Sequence, residues 1–245
     1  MNLKEYSTQA PTDFDAKNIK DEIKTLRKRL GELQYIMRAQ EKYSLLVIFQ
    51  GMDASGKDGA VKDVFKYVNP ADINIKSWKA PTKEELAHDF LWRIHKHAPE
   101  KGMIQVFNRS HYEDVLITRV HGWCDDATAV KRFKAINQFE EQLLEHNNTQ
   151  VLKFYLHISP EEQEQRLLER KTLKRKMWKH NDGDWEERML WDKYMKMYEE
   201  FIENTADVPW HIIPADDNKY KAYLILKTIL ETMEKLPLSF PTLNS

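Results

Sequence analysis

A seven-residue loop, Gly51 to Lys57, constrains the fold of this chain more than any other feature. Its sequence, GMDASGK, matches the pattern G-x-x-x-x-G-K. It follows the apolar run Ser44 to Gln50, typical of a strand buried on both faces, and precedes a predicted helix from Asp58 to Val68. Backbone N–H groups at such a helix start point at an anion, and Lys57 adds positive charge. The loop is therefore predicted to bind phosphate; a chance strand-to-helix turn is the alternative.

Further strand-like segments alternate with helical patterns along the rest of the chain. Besides Ser44 to Gln50, the predicted strands are Ile73 to Trp78, Met103 to Phe107, Val151 to Ile158 and Trp210 to Ile213. This alternation favours an α/β fold with a mostly parallel sheet of about five strands flanked by helices. Apolar residues at three-to-four spacing predict an amphipathic helix over 16–42. No linker-like stretch interrupts the 245 residues, so we expect one domain.

Three pairs of residues have the spacing of helix starts. Thr82 with Glu85, Ser159 with Glu162 and Asp184 with Glu187 each place a capping residue three positions before a glutamate. These signals predict helices that begin at 82, 159 and 184.

Overall charge and cysteine content limit the kinds of partner and compartment. The 38 basic and 39 acidic residues nearly cancel, so a site for a polyanion must come from local clustering. The single cysteine, Cys124, rules out an intrachain disulfide and suits a reducing compartment, so we expect a cytoplasmic protein. The start, MNLKEY, lacks a signal-peptide core, and the longest apolar run, Leu45 to Phe49, is too short to span a bilayer. We expect no membrane role.

Two aspartates, one inside the loop and one directly after it, are unusual for this motif. Asp53 puts a carboxylate inside an anion-binding loop, where it would repel phosphate unless a divalent cation lay between them. We therefore assign Asp53 to magnesium; an aspartate that bonds its own turn is the alternative. Asp58 stands where a serine or threonine usually follows the lysine, and stabilisation by the helix dipole would by itself account for it.

A polar cluster, Asn108 to Asp114 (NRSHYED), follows the third predicted strand. Ligands collect at the carboxyl ends of strands in open α/β sheets, so this cluster is predicted to form the second half of the site. Arg109 can bind phosphoryl oxygens in a bidentate manner, and Glu113 or Asp114 can hold metal, water or a nucleotide. Ser110 fits a helix cap as well as a direct role.

A basic segment over 166–180 carries seven lysines and arginines against one glutamate. Because it lies between two predicted helices, we interpret it as a mobile cationic lid, inserted at about 166–184, over the phosphate site. A solvated helix face is the alternative. Lys62 and Lys66, one helical turn apart, could line a channel for a long anion together with Lys79 at the end of the second strand.

Four segments together resemble the polyphosphate kinase 2 family: GMDASGKDG, FNRSHYEDVL, ERKTLKRKMWK and WHIIPADDNKYK. The resemblance spans roughly residues 15 to 235. It implies a P-loop kinase fold similar to thymidylate kinase and transfer of a terminal phosphate from inorganic polyphosphate to a nucleoside mono- or diphosphate. It also implies dependence on Mg²⁺, with Mn²⁺ as a substitute, and a homo-oligomer, dimer or tetramer.

The resemblance also implies roles for particular residues. The catalytic residues would be Asp53, also the metal ligand, with Lys57, Arg109, Arg166 and Arg170. The nucleotide would be bound by Asn108, Glu113 and Asp114. Polyphosphate would be bound by Gly51, Ala54, Ser55, Gly56, Lys57, Asp58, Lys62, Lys66, Lys79 and Arg109. The commoner third-strand motif, D-R-S-W-Y-N-R, is N-R-S-H-Y-E-D here, which resembles the subgroup that accepts both nucleoside mono- and diphosphates.

Three other functions compete with this interpretation. An ATP-dependent nucleoside monophosphate kinase shares the sheet, the loop and a basic lid, but the aspartate in the loop and the extra lysines speak against it. A regulatory P-loop protein would need the loop without the dense cluster at the third strand. A nucleic-acid binder could use a basic stripe, but near-neutral charge and absent recognition motifs argue against a nucleic-acid partner.

Overall fold

A five-stranded parallel sheet lies at the centre of the computed structural model, which describes residues 1–15 and 17–243. Its order is β2-β3-β1-β4-β5. The strands are β1 (Ser44–Gln50), β2 (Ile73–Ser77), β3 (Ile104–Asn108), β4 (Thr149–His157) and β5 (Trp210–Pro214). The α/β fold of a P-loop kinase is therefore confirmed, and the predicted strand boundaries differ from the observed ones by no more than two residues.

The central strand β1 explains the apolar run that precedes the loop. All seven of its residues are buried, since neighbouring strands flank it and helices cover both faces. Its neighbour β3 aligns Phe49 with Asn108, so the two strands end side by side. The edge strands β2 and β5 are partly exposed. The loop after β1 and the polar cluster after β3 consequently meet at one edge of the sheet.

Ten α-helices occur within the described ranges. They are α1 (Ile19–Gln40), α2 (Lys57–Val64), α3 (Lys83–Leu86), α4 (Trp92–His95), α5 (Ile117–Val120), α6 (Asp126–Asn147), α7 (Pro160–Thr172), α8 (Gly183–Arg188), α9 (Trp191–Asn204) and α10 (Asn218–Met233). The amphipathic helix expected over 16–42 is α1, which packs against α10. Its first expected residue, Ala16, lies outside the described residues.

The helix after the loop is shorter than the sequence suggests. A helix was expected to reach Val68, but α2 ends at Val64 and the chain continues as a turn in which the Val68 N–H donates to the Phe65 carbonyl. Apolar spacing over this segment reflects burial of the turn, not continuation of the helix. Lys66 therefore lies beyond the helix and does not share a helical face with Lys62.

Two of the three predicted helix starts are confirmed, and one is wrong. Thr82 and Glu85 form a capping box on α3, and the Ser159 hydroxyl accepts a hydrogen bond from the Glu162 N–H at the start of α7. Asp184 is not a cap, because α8 already begins at Gly183. The Asp184 side chain instead pairs with Arg170.

Candidate active site

The phosphate loop has the backbone geometry that its glycines permit. Gly51 and Gly56 have φ values of 152° and 91°, and a Cβ on Gly51 would lie 2.7 Å from the Leu156 carbonyl oxygen. Ala54 also has a positive φ, 62°, a conformation that non-glycine residues rarely adopt. Such strain is maintained only where the surroundings hold it in place. The loop then leads into α2, whose first residue is Lys57.

Lys57 folds back over its own loop. Its ammonium donates to the carbonyl oxygens of Gly51 at 2.6 Å and Met52 at 3.0 Å, and the side chain is buried. Burial, reinforced by the charge of Arg109, lowers the pKa of Lys57 to about 8. An anion in the loop would favour the charged ammonium, so Lys57 is placed to respond to phosphate.

Asp53 and Arg109 form an ion pair between the loop and the end of β3. An Arg109 Nη2 donates to the Asp53 carboxylate, and Arg109 has a φ of 62°. Burial alone would raise the pKa of Asp53, but the positive charges of Arg109 and Lys57 outweigh it and lower that pKa. The nearby Glu113 carboxylate in turn raises the pKa of Arg109. Asp53 is therefore a carboxylate and Arg109 a guanidinium at neutral pH.

Two clefts share this ion pair in their lining. The wide cleft, of about 780 Å³, has basic residues on several elements: Lys57, Lys79, Arg166, Arg170, Lys176 and Lys179. The narrow cleft, of about 210 Å³, is lined on one side by Glu113, Leu116 and Ile117 and on the other by Asp184, Glu187 and Tyr194. Asp53 and Arg109 line both clefts. Groups bound in the two clefts would meet at this pair.

Arg166 and Arg170 lie on α7, so the basic segment is not one lid. Arg166 donates to the carbonyl oxygens of Ala54 and Ser55 at 3.1 and 3.2 Å, and to those of Ala215 and Asp216 at 2.9 and 2.8 Å. These bonds join α7 firmly to the phosphate loop. Residues 166–172 of the expected lid thus belong to α7, and we use the name lid for residues 173–184, which follow that helix; that this segment moves stays a prediction.

Asp58 connects the loop helix to the lid. One carboxylate oxygen accepts a hydrogen bond from the Asn108 side chain at 2.7 Å, and the other accepts from the Lys179 ammonium at 2.6 Å. Both donors lower the pKa of Asp58, against the opposing effect of burial. Asp58 thus does more than stabilise the start of α2: it joins α2 to the end of β3 and to the lid at the wide cleft.

Of the remaining predicted residues, some line a cleft and others do not. Glu113 lines the narrow cleft, whereas Asp114 lines neither cleft; it faces Arg93 at 3.7 Å, and burial raises the pKa of Asp114 to about 6. Lys79 lines the wide cleft. Lys62 and Lys66 are exposed and do not belong to its lining. The structure thus brings Glu113 and Lys79 to the clefts but not Asp114, Lys62 or Lys66.

Ser110 acts as a cap in this structure. It is fully buried, and its hydroxyl accepts a hydrogen bond from the Tyr112 N–H at 3.2 Å at the start of the 3₁₀ turn His111–Val115. Tyr112 in turn bonds Glu140, and both contact the buried Lys153 ammonium, at 2.9 and 2.7 Å. This network fixes the turn that carries Glu113 to β4 and α6.

Sequence reasoning missed several residues at the site. Lys221 and Asn218 on α10 lie against the phosphate loop, and Tyr194 and Glu187 line the narrow cleft, with the Tyr194 hydroxyl donating to Glu187 at 2.6 Å. A signal existed for the first two, since both lie in the segment WHIIPADDNKYK. No motif marked the other two, whose position depends on how α8 and α9 pack.

The oxygen ligands at the phosphate loop suit a small divalent cation. Mg²⁺ is usually held by one or two carboxylates together with substrate phosphates and water. The Asp53 carboxylate is such a ligand beside a phosphate-binding loop. Across the described residues, no group of three or more histidine, cysteine or acidic side chains could hold a metal by itself. Asp53 therefore fits a cation that substrate phosphates help to bind.

The fold and the site define a class of protein, a P-loop phosphotransferase. A family model, Polyphosphate kinase 2 (PPK2), matches residues 13–239, and the chain belongs to this family. In the described part of the chain, no helix is long and apolar enough to cross a membrane.

Known proteins resemble the chain over nearly its whole length. It is 43% identical over 221 residues to the AMP/ADP-polyphosphate phosphotransferase of Meiothermus ruber, covering 89% of this chain and 82% of that protein. It is 39% identical to the ADP-polyphosphate phosphotransferase of Rhodopseudomonas palustris, covering 98% and 88%. The crystal structure of Polyphosphate Kinase 2 from Arthrobacter aurescens TC1 matches with a TM-score of 0.95 and 38% identity, over 100% of this chain and 89% of that one.

Proposed function

We propose that this protein transfers the terminal phosphate of inorganic polyphosphate to nucleoside mono- and diphosphates, forming ADP and ATP from AMP and ADP. The observation that carries this proposal is the pair of clefts that meet at Asp53 and Arg109 beside the phosphate loop. It is supported by the relatives from Meiothermus ruber and Rhodopseudomonas palustris, which are named AMP/ADP-polyphosphate phosphotransferase and ADP-polyphosphate phosphotransferase. An ATP-dependent nucleoside monophosphate kinase is not favoured.

The wide cleft is the site for the polyphosphate donor. A long polyanion needs positive charge from several directions, and the wide cleft supplies it from the loop, from α7, from the lid and, through Lys79, from beyond β2. Ala54 and Gly56 line the wide cleft and provide backbone that faces phosphate there, whereas Gly51 lines the narrow cleft and Ser55 lines neither. Lys62 and Lys66 do not line the wide cleft, so their proposed role is to contact more distant phosphates of a long polyphosphate chain.

The narrow cleft is the site for the acceptor nucleotide. It combines the apolar side chains of Leu116 and Ile117 with the polar groups of Glu113 and Tyr194, as a site for an aromatic base and a ribose requires. At about 210 Å³ it is smaller than the roughly 300–1,000 Å³ typical of ligand sites, so we expect the lid residues that line it, Asn181, Gly183 and Asp184, to move when a nucleotide binds.

The chemistry that follows is direct in-line transfer. The acceptor's terminal phosphate oxygen attacks the end phosphorus of polyphosphate, and the shortened polyphosphate leaves with the electron pair of the broken P–O bond. Lys57, Arg109 and Arg170 spread the negative charge of the transferring group, and Arg166 holds the loop still. One phosphoanhydride replaces another, so the reaction is reversible. A divalent cation held by Asp53, Mg²⁺ or Mn²⁺, would neutralise phosphate charge at the same place.

The test is an assay of ATP formation from AMP and, separately, from ADP, with Mg²⁺ and long-chain polyphosphate as the sole donor. ATP from both acceptors is expected, and ATP from ADP alone would reject the acceptor range. Product formed only when ATP replaces polyphosphate as donor would support the monophosphate kinase instead.

Three further expectations belong to the same proposal. We expect one domain with the lid as its mobile part, which is consistent with the five-stranded sheet and the continuous core that the described residues form. A cytoplasmic location is consistent with the one free cysteine, Cys124.

A homo-oligomer, dimer or tetramer, is expected from the family. Light scattering coupled to size-exclusion chromatography tests the oligomer, and a monomer at micromolar concentration would contradict it.

A further inference from the structure

Lys221 on α10 is a buried cation beneath the phosphate loop. Its side chain is 1% exposed, and its ammonium donates to the Ser55 carbonyl at 3.0 Å and to the Asn218 side-chain oxygen at 2.8 Å. Both acceptors are uncharged oxygens. In the described part of the chain this ammonium has no ion pair, although the more distant carboxylates of Asp63 and Asp217 favour its charge. Burying an ammonium in this way costs free energy, so a structural role alone would be served better by an apolar side chain.

The Ser55 carbonyl is held by two cations. Arg166 donates to the same oxygen at 3.2 Å and to the Ala54 carbonyl at 3.1 Å. In a trans peptide the carbonyl and the following N–H point in opposite directions. Fixing the Ser55 carbonyl against Lys221 and Arg166 therefore turns the Gly56 N–H away from both cations, and Gly56 is part of the wide cleft.

Gly56 and Lys221 fit one another. A Cβ at Gly56 would lie 2.3 Å from the Lys221 nitrogen, closer than any real contact allows. The second glycine of the loop is consequently required for two reasons, its φ of 91° and the space that the ammonium occupies. The loop motif and a residue 165 positions later in the chain form one unit.

We propose that Lys221 is a positioning residue for the phosphate donor: it fixes the Ser55–Gly56 peptide so that the Gly56 N–H meets a donor phosphate in the wide cleft. This inference rests on the proposed assignment of the wide cleft to polyphosphate. Burial, with the charges of Arg166 and Lys57, lowers the pKa of Lys221 to about 7, and a nearby polyanion would favour its charged form.

The test compares Lys221→Met with Lys227→Met, a substitution of an exposed lysine on the same helix. The KM for polyphosphate and the KM for ADP are measured for both, together with the Kd for tripolyphosphate without acceptor. For Lys221→Met we expect the polyphosphate KM and the tripolyphosphate Kd to rise by about tenfold or more, on the scale of one lost charged hydrogen bond. The ADP KM stays within about twofold, and Lys227→Met matches the wild type.

Other outcomes overturn the inference. A folded Lys221→Met protein with wild-type KM and Kd for the phosphates removes Lys221 from donor positioning, and an equal rise in both KM values means general damage to the site. Lys221→Gln, which keeps a hydrogen-bond donor without the charge, is the second variant if methionine prevents folding. Failure of both to fold shows that Lys221 serves stability. A wild type that binds tripolyphosphate but makes no ATP from polyphosphate rejects the proposed function instead.

Discussion

The phosphate loop and the lid hold their positive charges in different ways. At the loop, Lys57, Arg166 and Lys221 donate to backbone carbonyl oxygens and are largely buried. In the lid, the Lys176 and Lys179 ammonium groups pair with the carboxylates of Glu169 and Asp58 near the surface. Exposed ion pairs of this kind stabilise by roughly 0–1 kcal/mol. The loop is therefore preformed, whereas lid cations can exchange a carboxylate for a phosphate.

The largest effect is expected from removing the Asp53 carboxylate from the phosphate loop. In Asp53→Asn, kcat should fall by about 10³-fold, on the scale of losing a preorganised charge at a phosphoryl-transfer site. Thermal unfolding should remain cooperative, because the ion pair that Asp53 makes with Arg109 lies at the cleft and not in the apolar core. Asp192→Asn, an exposed change on α9, is the control. Wild-type turnover of Asp53→Asn would remove Asp53 from the mechanism.

Lys57 is the next test of the preformed loop. Lys57→Met keeps the length of the side chain but removes the charge and the bonds to Gly51 and Met52, so kcat/KM for polyphosphate should fall by about 10²-fold. Steady-state kinetics measures this, with Lys28→Met on α1 as control. A fall of less than about threefold would show that the loop backbone binds phosphate without its lysine.

A lid substitution should have a much smaller effect. Lys179→Met removes a lid cation that can exchange the Asp58 carboxylate for a donor phosphate, so the polyphosphate KM should rise by only about two- to fivefold, as expected for an exposed ion pair. The rise should shrink as salt is added, because salt screens exposed charges. If Lys179→Met were as damaging as Lys57→Met, the distinction between loop and lid would be wrong.

The smallest expected effect is the change of the polyphosphate KM with pH. Burial lowers the pKa of Lys57 to about 8 from 10.5, so between these values the unfolded chain binds more protons and the free energy of unfolding rises with pH.

The same titration affects donor binding. Bound polyphosphate favours the charged ammonium of Lys57, so the KM for polyphosphate should rise several-fold between about pH 7.5 and 9. Rate measurements across this range check the prediction, and Lys57→Met should weaken the dependence, leaving the part that comes from Lys221, whose pKa is about 7. A polyphosphate KM that falls with pH would contradict it.

Local patterns predicted the parts of the site that depend on short stretches of chain. The loop, Lys57 and the cluster around Arg109 follow from residues adjacent to buried strands, since parallel strands end at one edge of the sheet. The strand order was not predictable in the same way, because it depends on how crossovers pack. The apolar spacing that suggested a longer α2 could not distinguish a helix from a buried turn.

Contacts between distant segments account for what sequence reasoning missed. Arg166 was predicted as a lid residue, yet its guanidinium bonds four carbonyl oxygens because α7 packs beside the loop. Local sequence explains Asp58 only as the start of a helix, because its partner Lys179 lies 121 positions later in the chain. The carbonyl acceptors of such bonds leave no sequence signal, since every residue supplies a carbonyl.

The central claim is that donor and acceptor occupy the two clefts together and react across Asp53 and Arg109. The direct measurement is a matrix of initial rates in which polyphosphate and ADP are varied against each other. The account predicts double-reciprocal lines that intersect, as simultaneous binding requires. Parallel lines, the pattern of an enzyme that releases shortened polyphosphate before ADP binds, would contradict it.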